Sequence, residues 1–271
     1  MGIASRCLFL LTGVAITSGL GISSGEELSL PETNLQRIRD KVAEHLSLLP
    51  NYTCHEVIDR FEDSFSRGGS RQHDRVELEV AFVGGKELFG RPGEALREES
   101  ITRLVPTGTI GSGVFGAHAG SIFLTGAASF TYIGLSQTDG HMTHRYDFKV
   151  PVEMSGFLVR HDHAEGIVGY QGSVWADVAT FDLVRLEIIA DQIPSSLGVT
   201  FIKETADYTT VRIGNSDFLL PLHAEMEGRD SSGIRSVDDL TLGQCREFTG
   251  ESTVTFGAPV NSSSAGHQPR E

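Results

Sequence analysis

The stretch Tyr170-Gln-Gly-Ser-Val-Trp-Ala-Asp-Val-Ala-Thr-Phe-Asp-Leu-Val-Arg-Leu-Glu187 decides the fold. It reads as a strand, a tight turn between Asp177 and Asp182, and a returning strand. It also holds the single tryptophan of the chain, Trp175. Two strands joined by so short a turn pair antiparallel. The stretch therefore speaks for architecture, not for an active site.

The same pattern extends on both sides. Strands are expected at 128–134, 141–150, 155–162, 165–176, 182–191, 199–207, 209–213, 217–226 and 243–256. Turn signals separate several of them: Asp139-Gly140, Glu165-Gly166, Gly214-Asn215 and Ser231-Ser232-Gly233. Upstream, Tyr52, Cys54, Glu56, Ile58 and Arg60 alternate with Thr53, His55, Val57, Asp59 and Phe61. Val76, Leu78, Val80 and Phe82 repeat that alternation, and Gly84-Gly85 turns the chain into 86–89. Such a succession of short-linked strands is an antiparallel meander.

One long helix stands before the strands, over 33–48. Thr33 suits its N-cap, and Leu35, Ile38, Val42, Leu46 and Leu49 recur at spacings of three and four until Pro50. Its apolar stripe fits against a sheet. Residues 90–127 are rich in glycine. Ser112 to Leu124 reads either as a short helix capped by Ser112 or as a glycine-rich loop; the clustering of Val114, Phe115, Ile122 and Phe123 favours the helix.

The N-terminus gives an address. Arg6 precedes an apolar run from Cys7 to Ile22, small residues follow at 23–25, and the first acids are Glu26 and Glu27. That is a secretory signal pattern, with an uncleaved anchor as the alternative. The run is interrupted by Gly13, Gly19 and Gly21 and is short against the ~20 residues of a membrane span. The expected organisation is a signal peptide over 1–25, a single domain over 26–257 and a disordered tail over 258–271. A net charge of −14 argues against nucleic acid and anionic headgroups as partners. Beyond the signal, Cys54 and Cys245 remain; outside the cytoplasm such a pair suggests a disulfide, two separate thiols being the alternative.

Catalytic patterns are thin. His161-Asp162-His163 could place two imidazoles on one strand face, but no third ligand has a diagnostic spacing, and an exposed turn explains the triplet better. His118, His141 and His144 are scattered, and no Gly-x-Ser-x-Gly elbow occurs. Gly111-Ser112-Gly113-x-x-Gly116 matches a dinucleotide loop by letters without its strand–helix context. Acid pairs such as Asp238-Asp239 read as solvated charge. No metal and no cofactor is expected. Aromatic residues are the stronger lead: Phe115, Phe123, Phe130, Tyr132, Phe148 and Trp175 fall in expected elements, and a curved sheet can line its concave face with such side chains.

Gly172-Ser-Val-Trp175-Ala-Asp177-x-x-Thr180, followed by Val184-Arg185-Leu186-Glu187, resembles the strand–turn–strand of the outer-membrane lipoprotein-sorting carriers. These half-barrel proteins share the order of signal peptide, helix, long meander and internal helical excursion. Periplasmic sensors of lipoprotein or lipopolysaccharide signals are similar. Leu219-Leu220-Pro221 with Ala224 and Glu225, Asn51-Tyr52-Thr53-Cys54, and Cys245-Arg246-Glu247-Phe248 are similar to segments of uncharacterised secreted relatives. The resemblance implies a mainly β half-barrel with a helix packed on it and a short helix near its mouth. It further implies a non-catalytic periplasmic or extracellular protein that takes a lipid, lipoprotein acyl chain or other apolar ligand. An envelope structural or protein-interaction module is the alternative, and a secreted enzyme the weaker third. Carriers of this type are shorter, and no lipoprotein-contacting arginine is carried over.

Overall fold

The computed structural model describes residues 29–64, 69–84, 86–94, 96, 101–105, 117–161 and 163–248. Helix α1 (Leu30–Leu48) leads into strands β1 (Tyr52–Ser64), β2 (Gly69–Val83) and β3 (Lys86–Gly90). Two short helices follow, α2 (Ile101–Leu104) and α3 (Ala117–Leu124). The remainder is β4 (Ser129–Thr138), β5 (His141–Val150), β6 (Leu158–His161), β7 (Ala164–Ile167), β8 (Gly169–Asp177), β9 (Leu183–Asp191), β10 (Val199–Ile213), β11 (Ser216–Asp230) and β12 (Ile234–Glu247). Ten strands form one antiparallel sheet in the order β3-β2-β1-β12-β11-β10-β9-β8-β5-β4, and β6 pairs with β7 alone. The sheet curves without closing, as the half-barrel reading requires.

Helix α1 begins three residues earlier than the apolar stripe indicates. Glu32 accepts from both the backbone N–H and the hydroxyl of Ser29, at 2.8 and 2.7 Å, and Pro31 occupies the first turn. Ser29 and Glu32 thus supply the reciprocal start expected of Thr33. Thr33 instead donates its hydroxyl to the Ser29 carbonyl.

Strand register sets what each face carries. One row across the sheet runs Phe130, Phe148, Gly172, Ile188, Glu204, Met226, Asp238, Arg60, Asp74. The adjacent row runs Tyr132, Tyr146, Val174, Leu186, Ala206, Ala224, Leu240, Ile58, Val76. Both rows lie on the inner face, the one covered by α1 and α3. The second is apolar throughout, apart from its two tyrosine hydroxyls. The first changes from aromatic to ionic between β9 and β12. Gly172 is required where it stands: a Cβ there would lie 1.9 Å from the Glu187 carbonyl oxygen.

Four expected strands change. Segment 165–176 is broken at Val168, whose N–H donates to the Phe157 carbonyl, so 164–167 fold back on β6 and leave the large sheet. Segments 199–207 and 209–213 are one strand with a bulge at Asp207/Tyr208. The last strand covers 234–247 rather than 243–256, and residues 249–271 lie outside the described residues. Its charged start hides it: Asp238 sits on the inner face opposite Arg60, only 4% exposed, not solvated as its acid pair suggests.

Cys54 and Cys245 are bonded, with Cα atoms 4.1 Å apart. The bond joins neighbouring strands β1 and β12 at a bulge between Thr53 and His55, where Gln244 takes φ 51°.

Candidate functional site: the inner face of the half-barrel

Helix α1 covers the inner face because its stripe of Ile38 and Val42 meets Ala119, Ile122 and Phe123 of α3 and the apolar ends of β5, β8 and β9 in one core. Polar contacts fix its direction. The Tyr146 hydroxyl donates to the Pro31 carbonyl at 2.6 Å, and Asn34 meets His144. His45 meets the Asp182 carboxylate at 2.7 Å, and the Arg37 guanidinium lies over the Phe181 ring. The Asp177–Asp182 turn therefore does two things. Asp177 accepts from the Ala179 and Thr180 N–H groups and shapes the turn, with Phe181 at φ 63°. Phe181 and Asp182 then hold the helix.

Four of the six aromatic residues singled out from the sequence come together. Phe123 stacks on Phe130 at 5.4 Å, Phe130 lies 6.1 Å from Phe148, and Tyr132 and Tyr146 are 5.0 Å apart. Phe115 lies outside the described residues. Trp175 does not belong with the four. It pairs with Arg145 and Arg185 on the outer face, and the Arg145 guanidinium covers its ring. The reason is parity: Gly172, Val174 and Ala176 point inward, so Trp175 must point outward.

A cleft opens beside this aromatic group, between the C-terminal half of α1, α3 and strands β9 to β11. It holds about 400 Å³ of space, solvent at its mouth included. Val42, Leu46, Leu49, Ala119, Leu183, Leu219, Pro221 and Tyr208 form its walls, with Lys41 and His45 also lining it. The sequence marks Val42, Leu46 and Leu49 as the stripe of a helix and Leu219-Leu220-Pro221 as a strand end. It carries no signal that these face one another.

Beyond the cleft the inner face becomes polar. Tyr52 and Glu56 are each 1% exposed. The Tyr52 hydroxyl, the Tyr208 hydroxyl and Glu56 Oε2 are buried without a hydrogen-bonding partner among the described residues. Burial, then the charge of Glu87, pushes the Glu56 carboxyl up to about 8. Burial, with Glu87 and Tyr208 nearby, raises the Tyr52 phenol, and burial with Glu204 raises that of Tyr208. Glu204 in turn meets His118 of α3 at 3.3 Å. On the far side of this group Arg60 is bound to Asp74, and burial pushes the neighbouring Asp238 up to about 7 against the pull of Arg60.

Other candidates are placed elsewhere. His161 lies on β6 with Nδ1 3.1 Å from the Leu197 carbonyl oxygen, and His163 is exposed in the β6–β7 turn. Among the described residues no group of three or more His, Cys, Asp or Glu side chains converges as metal ligands. The glycine triplet 111–116 lies outside the described residues. No helix among the described residues is long and apolar enough to cross a membrane.

No family model matches the chain, and no curated protein matches it. Solved structures do. A LolA superfamily protein from Nitrosomonas europaea is 14% identical with a TM-score of 0.41, over 80% of this chain and 94% of that one. A domain assigned as an outer membrane lipoprotein-sorting protein, from Vibrio parahaemolyticus, is 12% identical with a TM-score of 0.42, over 82% and 94%. The lipoprotein LppX of Mycobacterium tuberculosis is 12% identical with a TM-score of 0.28, over 82% and 99%.

Proposed function

We propose that this is an exported, non-catalytic protein that holds the apolar chain of a lipid or an acylated lipoprotein on the inner face of its half-barrel. The observation that carries the reading is the cleft under α1. Its walls are mostly aliphatic, and it opens to solvent at its mouth. An apolar chain entering it removes its own surface and that of Leu46, Leu49 and Leu219 from water, at about 25 cal/mol per Å². The aromatic group of Phe123, Phe130, Tyr132 and Phe148 forms the packed floor beside the cleft.

The test is direct. The mature chain is purified from its own host and its organic extract is analysed by lipid mass spectrometry, alongside titration with the neutral fluorophore N-phenyl-1-naphthylamine. A co-purified acyl chain and saturable fluorophore binding are expected, and Leu46→Trp, which fills the cleft, abolishes both while the protein stays folded. A clean extract together with no fluorophore binding would sink the reading in favour of an envelope module whose inner face is filled by its own side chains.

A further inference from the structure

We propose that the polar end of the bound ligand is a primary ammonium, seated at the Tyr52–Glu56–Tyr208 group. The inference rests on the apolar-chain reading and names the other end of the same ligand.

Continuity is the first argument. The Tyr208 ring is a wall of the cleft, and it packs against both the core beneath α1 and the core of β1, β2 and β12. Among the described residues its hydroxyl has no hydrogen-bonding partner, and it lies within the field of Glu204. A chain lying in the cleft with its end at Tyr208 therefore delivers its head to this polar group.

The second argument is the kind of polar atom waiting there. Carboxylates accept hydrogen bonds, and phenols donate one and accept others. The Tyr52 hydroxyl and Glu56 Oε2 are both buried in side chains 1% exposed, and both lack a protein partner among the described residues. Glu87 and Glu204 set a negative field at the two phenols. An ammonium brings three donors and no acceptor, so it satisfies what is present. A phosphate or carboxylate head would be repelled by the charges of Glu87 and Glu204, which attract an ammonium. Arg60, two rows along the inner face, is bound to Asp74 and faced by Asp238, so it does not offset that repulsion.

Proton balance follows. Burial keeps the Glu56 carboxyl protonated near neutrality. A bound ammonium favours the carboxylate, so the Glu56 proton leaves to solvent as the ion pair forms. The other ionisable groups around it are Tyr52 on the same strand, Glu87 from β3, Tyr208 and Glu204 from β10, and His118 from α3 on Glu204.

The experiment displaces N-phenyl-1-naphthylamine from the full mature chain with decylamine and, separately, with decanoate, at pH 7. Decylammonium is expected to bind about tenfold more tightly than decanoate. Tyr208→Phe and Glu56→Gln each collapse that preference. Titrations in buffers of different ionisation enthalpy show proton release with decylammonium, and Glu56→Gln abolishes it. If Glu56→Gln does not fold, Tyr208→Phe carries the comparison alone. Fluorophore binding with decanoate equal or superior to decylammonium overturns the ammonium head and leaves the chain reading standing. A preference untouched by the substitutions also overturns this seat. Failure of the fluorophore to bind overturns the chain reading, and this one with it.

Discussion

Glu56 and Asp238 are carboxyls that burial keeps from ionising, pushed up to about 8 and about 7. Their pKa values in the unfolded chain are far lower, so the native state binds the extra protons. Stability from these groups is therefore complete below the unfolded values and is lost as pH rises through 7 and then 8. Tyr52, Glu87 and Tyr208 surround the first, and Arg60 and Asp74 the second. Thermal unfolding is expected to move to lower temperature between pH 6 and pH 9, and Glu56→Gln with Asp238→Asn should flatten that slope. An unchanged slope in the double variant would remove these two groups as its cause. At Gly172 the expectation is steric: Gly172→Ala drives a methyl into the β9 backbone and should cost about 1–3 kcal/mol in denaturant titration. Trp175 shows where reading residues one at a time fails. Val174, Trp175 and Ala176 are all apolar, so period two does not distinguish which of them faces inward. The register decides it, and the consequence is measurable. Trp175 emission should stay constant while a ligand fills the inner face.

Elements are legible where one face is clean. The stripe of α1, the alternation of β1 and β2 and the apolar run of β9 can all be read directly. Strand β12 cannot, because Arg235, Asp238 and Asp239 mask a strand that carries buried charge. The β6–β7 hairpin escapes for another reason: its residues alternate as well as those of β8, and only pairing partners separate the two. The Asp177–Asp182 turn is recognisable as a turn, but its hold on α1 depends on long-range contacts that local sequence does not encode. Asp182→Ala removes the partner of His45 and should lower amide-exchange protection in α1 selectively, sparing β8 and β9. Equal loss in all three would mean that the contact supports the whole fold rather than the helix. The disulfide is the strongest single tie between elements. It closes a sequence separation of 191 residues, about 5 kcal/mol in the chain-entropy account. Replacing both cysteines by serine should lower unfolding free energy by about 2–5 kcal/mol without altering the far-ultraviolet circular dichroism at low temperature.

At the scale of the molecule, the inner face is two surfaces joined along β10. Toward β4 it is aromatic and aliphatic beneath α1. Toward β3 it carries Glu56, Asp238 and Arg60 among apolar neighbours. The first half is visible in the sequence as a set of aromatic residues. The second is not, because a buried acid and a solvated acid are the same letter until register places them. One further consequence belongs to the strand order. β1 lies between β2 and β12, so the first and last strands of the sheet are neighbours. When the N-terminus emerges first, from ribosome or export channel, the β1–β3 ribbon has one side of β1 unpaired until β12 arrives. The seam between them is then a clock: assembly completes only when the end of the chain is delivered, and a helper that guards an open strand edge has its work to do in that interval.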